Sequence, residues 1–177
     1  VAYFKVETVE DYLTMLKICT EITGRDDLYQ ENGEAVKQQV EECRERAKNE
    51  ESPLILYIRA YSTGAKAKGS DNLTGAMLKD LGCTNLADSD NSLLEDVSLE
   101  RIIEADPDYI FVTTMGSSEK ALEALAENMT NNPAWANLSA VKNGRYHVLP
   151  KDLFHYKPNA RWGEAYEILA DILYPEE

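Results

Sequence analysis

Short apolar runs in this chain each lead into residues able to hold an anion or a metal complex. After Leu54-Ile55-Leu56-Tyr57-Ile58 come Arg59, Tyr61, Ser62, Thr63, Lys66 and Lys68. After Tyr109-Ile110-Phe111-Val112-Thr113 come Thr114, Met115, Gly116, Ser117 and Ser118. After Arg145-Tyr146-His147-Val148-Leu149 come Lys151, Asp152, Phe154, His155, Tyr156 and Lys157, with Asn159 and Arg161 just beyond. Read as parallel strands, the runs would bring these residues to one edge, because an open parallel sheet places its ligand crevice beyond the strand carboxyl ends. Cations interleaved with aromatic rings suit a bulky anionic ligand, through charge-assisted hydrogen bonds and stacking. The alternative is that they are simply scattered over polar loops.

Other chemistries fit less well. Gly64-Ala65-Lys66-Ala67-Lys68-Gly69-Ser70 sits between a strand and a helix, as a phosphate-cradling loop would. That loop needs Lys and then Ser or Thr directly after its second Gly. Ser70 and Asp71 stand there instead, and the acid would repel phosphate. There is no GxGxxG and no GxSxG elbow, so no catalytic group is assigned. His147 reads as a packed or edge-strand histidine; His155 reads as a ligand or, equally, as a solvated surface residue. Cys19, Cys43 and Cys83 form neither a CxxC nor an even-numbered framework, so neither a metal site nor a disulfide scaffold is assigned. All three read as small buried hydrophobes, Cys19 and Cys43 on apolar helix faces. Asn72, Asn128 and Asn137 match the glycosylation pattern, a weak signal in a chain this rich in Asn, Ser and Thr.

The elements that must position these residues are legible in outline. Thr8 with Asp11 forms a capping-box-like start, followed by Val9, Tyr12, Leu16, Cys19 and Ile22 at helical spacing and a stop at Gly24. Arg25-Asp26-Asp27 opens a polar connection, and a second helix is expected from about Gly33 to Glu51. Residues 64–72 read as a loop, Ala76–Leu81 as a helix, and Cys83–Ala87 as a weak strand. Ser98 and Ser117 are expected N-caps. Pro158-Asn159 leads into a last helix with Trp162, Ala165, Tyr166, Leu169, Ile172 and Leu173 inward. Strands alternating with helices give an α/β fold: one Rossmann-like lobe with a mainly parallel sheet flanked by helices. The two leading helices are either part of that lobe or a connection to another.

The chain has 177 residues, 44% of them hydrophobic and 28% charged, values typical of a soluble globular protein. Its 18 Lys and Arg against 32 Asp and Glu give a net charge of −14, which argues against a nucleic-acid partner. No apolar run approaches the ~20 residues of a membrane-spanning helix.

These stretches together resemble the C-terminal half of the class III substrate-binding proteins of ABC importers, which serve iron–siderophores, haem and cobalamin. The resemblance is carried by Gly69-Ser70-Asp71, Gly82-Cys83-Thr84-Asn85-Leu86-Ala87, Val97-Ser98-Leu99-Glu100 and Ala105-Asp106-Pro107-Asp108-Tyr109-Ile110-Phe111-Val112. Ala136 to Leu149 and Asp152-Leu153-Phe154-His155-Tyr156-Lys157-Pro158-Asn159-Ala160-Arg161-Trp162 extend it. It implies two α/β lobes joined by a long helix, with ligand between them. Residues 1–24 would be the end of the N-terminal lobe and the inter-lobe helix, residues 25–177 the C-terminal ligand-binding lobe. The rest of the N-terminal lobe and the export signal would then precede Val1 in a longer protein.

By position, the resemblance implies ligand contacts from Arg59 and Tyr61, then His155, Tyr156 and Lys157, with Arg161 a further candidate. Met115 joins them if the ligand is haem, whose iron Met and His can ligate. Glu100 matches a surface acid that such proteins present to arginines of the membrane permease. It would equally be a favourable acid in the first turn of a helix capped by Ser98. The implied protein is a monomeric, extracytoplasmic solute-binding component, a cell-surface lipoprotein or periplasmic, and not an enzyme. It would have no cofactor of its own and would take an iron complex, siderophore or haem. Alternatives are a cobalamin binder and a metal- or tetrapyrrole-handling enzyme domain on the same scaffold.

Overall fold

The continuous apolar run beginning at Leu54 becomes the strand on which the sheet is built. In the computed structural model, which describes residues 3–89, 92–95 and 98–175, the strands are β1 (Leu54–Tyr61), β2 (Gly64–Ala67), β3 (Thr84–Asn85), β4 (Tyr109–Thr114) and β5 (Tyr146–Val148). Val1 and Ala2 of the leading segment and Val97 ahead of Ser98 therefore lie outside the described residues. β1 pairs in parallel with β4, from Ile55↔Tyr109 to Ala60↔Thr114, and with β3. β5 extends the parallel set on the far side of β4.

The sheet is mixed rather than wholly parallel, because β1 turns through Ser62-Thr63 into antiparallel β2, with Arg59 opposite Lys66 and Tyr61 opposite Gly64. The loop expected over 64–72 is therefore a strand in its first half. Its small residues allow this: Ala67 is buried against β1, and Gly64 takes a φ of 146° at the turn. The weak strand expected over 83–87 shrinks to Thr84–Asn85, since Leu86 already starts a helical turn.

Side-chain alternation splits the core into two layers. Ile55, Tyr57, Tyr109 and Phe111 face α1 (Val9–Thr23), α3 (Ala35–Ala47), α4 (Leu73–Asp80), α10 (Lys151–Phe154) and α11 (Trp162–Leu173). Leu56, Ile58, Ile110 and Val112 face α5 (Leu86–Ser89), α6 (Ser92–Glu95), α7 (Leu99–Ala105), α8 (Ser118–Leu125) and α9 (Ser139–Lys142). With both faces covered, the runs read as continuous apolar segments, as buried parallel strands must. The expected α/β architecture is the one observed.

The helix signals hold where they are local. Thr8 and Asp11 form a reciprocal capping box, Gly24 ends α1 at a φ of 66°, and Ser98 and Ser117 cap α7 and α8. The polar connection beginning at Arg25 is helical from Asp26 on: α2 (Asp26–Tyr29) runs through one π-turn (Gln30–Glu34) into α3, which ends at Ala47 rather than Glu51. The Tyr12 hydroxyl donates to the Asn32 carbonyl at 2.7 Å, supplying a tertiary partner at this widened turn. Cys19 and Ile22 are exposed, against expectation. The buried stripe of α1 runs through Val9, Tyr12 and Thr20, which rotates Cys19 and Ile22 off the core side. Arg44 on α3 joins Glu10, Glu41 and Asp80, tying α1 and α4 to α3. Among the described residues no helix is long and apolar enough to cross a membrane.

Candidate functional site

The core ends, and the site begins, along a single row of the sheet. On the face of β1 that carries Ile55 and Tyr57, the next position is Arg59 and the one after is Tyr61. Arg59 lies opposite Thr113 on β4 and opposite Lys66 on β2. Apolar rows thus give way to a polar, cationic row just where β1 and β4 reach their carboxyl ends. Beneath it, the hydroxyls of fully buried Tyr57 and Thr113 hydrogen-bond at 2.8 Å, and Arg59 Nη2 donates to the Tyr57 oxygen at 3.3 Å.

The segment after β5 is brought over this row by hydrogen bonds and burial. Leu153 and Phe154 are buried, and the buried Thr74 hydroxyl donates to the Phe154 carbonyl at 2.6 Å, fixing the backbone that presents His155. Lys151 Nζ donates to the Gly116 carbonyl at 2.5 Å and lies 5.3 Å from the centre of the Tyr156 ring. His155 and Tyr156 meet edge to face at 5.1 Å. Burial, then the charges of Arg59 and Lys151, hold the His155 pKa below the usual histidine value, so its imidazole is neutral at pH 7.

Two atoms of this cluster are buried without a hydrogen-bond partner in the protein: Arg59 Nε and His155 Nδ1. Buried polar groups in folded proteins are paired in the great majority, so such atoms at a strand-end edge mark where a ligand would bond. Tyr61 continues the row on the Arg59 face, and Tyr156 and Met115 are 56% and 44% exposed beside it, free to contact a ligand. The Met115 amide donates to the Ala60 carbonyl at 2.9 Å, anchoring the turn that Lys151 grips.

Three of the candidates lie differently. Arg161 is held by Glu164 at 2.6 Å and by Asp152 at 2.7 Å, so its charge is matched locally. Lys157 is exposed and acts on Asp11 at the start of α1. Glu100 is exposed in the first turn of α7 and makes no hydrogen bond with the cluster. Among the described residues, no three His, Cys, Asp or Glu side chains gather as a metal cage. A recess of about 400 Å³ is bordered by Thr8, Ser70, Met77, Asp80, Trp162 and Tyr166, none of them in the cationic cluster. The Trp162 Nε1 at that recess is also buried without a partner, but we place the site at the strand ends because that open edge joins the converging cations to two such atoms, Arg59 Nε and His155 Nδ1.

Sequence spacing alone missed Tyr57, Thr113 and Thr74. The available signal was the i, i+2 step from Tyr57 to Arg59, which puts both on one face once residues 54–61 are known to be strand.

Comparison with known proteins gives this geometry a family. The model of the family described as "Periplasmic binding protein" matches residues 1–153. A curated relative, the Fe(3+)-citrate-binding protein YfmC of Bacillus subtilis, is 28% identical over 147 residues, covering 82% of this chain and 43% of that protein. The chain thus spans less than half the length of that relative. Among solved structures, Staphylococcus aureus IsdE complexed with heme superimposes with a TM-score of 0.80 at 16% identity, over 97% of this chain and 67% of that one. The iron-uptake system-binding protein FeuA of Bacillus subtilis gives 0.66 at 18% identity, over 95% and 61%. At these identities the structures speak for the fold alone, whereas the family model covers most of the residues: this chain belongs to the periplasmic binding protein family.

Proposed function

We propose that this chain supplies one wall of a cleft that captures an iron complex, a siderophore or haem, and delivers it to an ABC permease in the membrane. The observation that carries the reading is the pair of buried, unpartnered atoms, Arg59 Nε and His155 Nδ1, set in a row of cations at the strand carboxyl ends. A buried donor without an acceptor costs about 1–3 kcal/mol, more for a charged group, and an oxygen-rich anionic chelate relieves that cost. Residues 25–177 act as the C-terminal lobe. Residues 9–23 form the joining helix, and residues 1–6 end a preceding lobe that supplies the opposite wall. The match to less than half of a Fe(3+)-citrate-binding protein supports this division. The role is binding and transfer without catalysis, in an extracytoplasmic monomer held at the cell surface or in the periplasm. Glu100, exposed at the start of α7, is the permease-docking acid.

Exposed Met115, next to the Gly116 that Lys151 grips, and the neutral imidazole of His155 favour haem of the two, since both side chains can ligate its iron. Titration of the protein with ferric citrate, a ferric hydroxamate, haem and cobalamin, followed by Trp135 and Trp162 fluorescence, tests both. Saturable binding of an iron complex, weakened at least tenfold by Arg59→Ala, is the expected result. Binding of cobalamin alone, or chemical conversion of the ligand, overturns the proposal. Glu100→Ala is expected to leave binding unchanged and to lower uptake by cells.

A further inference from the structure

We infer that Tyr57 and Thr113 are positioning residues: a buried hydroxyl relay that holds the Arg59 guanidinium for an anionic ligand. This rests on the reading of Arg59 as a contact to the iron complex and assigns a role to residues that touch no ligand themselves. The direction of its first contact follows from the chemistry of the two groups. A guanidinium has only donors, so at 3.3 Å Arg59 Nη2 donates and the Tyr57 oxygen accepts. The 2.8 Å contact between the Tyr57 and Thr113 hydroxyls, in which either can donate, then fixes the phenol oxygen that receives the guanidinium.

Both hydroxyls sit where hydroxyls are costly. Tyr57 and Thr113 are each 0% exposed, on adjacent strands, at the boundary between the apolar rows and the cationic row. Phe and Val would fill the same positions at little packing cost, and mutual pairing alone would leave the two hydroxyls serving only each other. The third member gives the pair a use. Arg59 stands opposite Thr113 in the register, and Tyr57 is two residues earlier on the same face, so the relay grips the guanidinium from below. A freely rotating Arg pays side-chain entropy each time it binds; one fixed in its plane has lost that freedom on folding instead. Its remaining donors, Nε among them, then present a fixed fork suited to the planar oxygens of a carboxylate.

The test uses the protein with Tyr57→Phe, Thr113→Val, Arg59→Ala and the double variant Tyr57→Phe/Arg59→Ala. One readout needs no ligand. Rotation about the Arg59 Nε–Cζ bond, measured by ¹⁵N NMR, is expected to be slow in the parent and several-fold faster in Tyr57→Phe and Thr113→Val; unchanged rotation overturns the relay. The second readout is affinity for ferric citrate. Tyr57→Phe is expected to weaken it about five- to tenfold, and to weaken it no further in the Arg59→Ala background, because the relay acts only through that side chain. An equal loss in both backgrounds indicates a structural effect and overturns the positioning role. Faster rotation in a protein that binds no iron complex, or one whose binding ignores Arg59→Ala, leaves the relay standing and overturns the proposed function instead.

Discussion

Lys151 donates to the Gly116 carbonyl at 2.5 Å and so fastens the segment that follows β5 to the turn that follows β4. The two segments are far apart in sequence, and the clasp carries the pairing of β4 with β5 past the end of the strands. The same ammonium faces the Tyr156 ring and contributes to lowering the His155 pKa, so one side chain sets both the geometry and the charge of the edge. Lys151→Met keeps most of the stem and removes the clasp. Binding of the proposed iron complex is expected to weaken about five- to tenfold, as fits loss of a charge-assisted contact. The melting temperature should move by only a few degrees, because the residue is not part of the core; calorimetry and fluorescence titration check the two effects separately.

His155 gives the site a pH dependence with a definite sign. Its folded pKa lies below the usual value of 6.5, through burial first and then the Arg59 and Lys151 charges. Above about pH 7.5 the imidazole is neutral in both folded and unfolded chains, so it contributes nothing to the slope. As pH falls through 6.5 the unfolded chain takes up a proton that the folded chain refuses, and stability declines until the folded pKa is passed. His147, also lowered by burial, adds in the same direction. NMR titration of the His155 ring should report a pKa below 6.5, and Arg59→Gln should return it part of the way upward.

Gly75 in α4 has no room for a side chain. A Cβ there would sit 2.1 Å from the Gly69 carbonyl oxygen and 3.0 Å from the Ser70 Cα, both backbone atoms that cannot swing aside. Gly75→Ala is expected to destabilise the fold by about 2–3 kcal/mol, seen as a lower urea midpoint with an unchanged slope.

The thiols should separate cleanly by reagent. Cys19 is exposed and is expected to react with a maleimide within minutes under native conditions. Burial pushes Cys43 up to about 11 and Cys83 up to about 12, so both should stay unmodified until urea unfolds the chain. Mass spectrometry of digested protein identifies the labelled position.

The elements that could be read from residues alone are those whose determinants are local. The Thr8–Asp11 capping box, the Gly24 stop and the Ser98 and Ser117 caps are satisfied by backbone groups within a few residues. The strands beginning at Leu54 and Tyr109 are buried on both faces, so their apolar runs stand out without knowledge of their partners. What escaped reading depends on pairing and packing that residue types alone do not specify. β2 pairs only because its alanines meet β1 across a tight turn, and Cys19 is exposed because α1 rolls its Val9–Tyr12–Thr20 stripe inward.

The candidate site divides in the same way. The types of residue that could bind an anion, and their position after apolar runs, are properties of the sequence, and parallel-strand topology was enough to send Arg59, Met115, Lys151 and His155 to one edge. The tertiary structure decided which of the cations remain unsatisfied. Arg161 is neutralised by Asp152 and Glu164, whereas Arg59 keeps a buried, unpartnered Nε above the Tyr57–Thr113 pair. Charge and periodicity are written residue by residue, but whether a polar atom finds a partner depends on which strands and loops come to lie against it, and that is settled only when the chain packs.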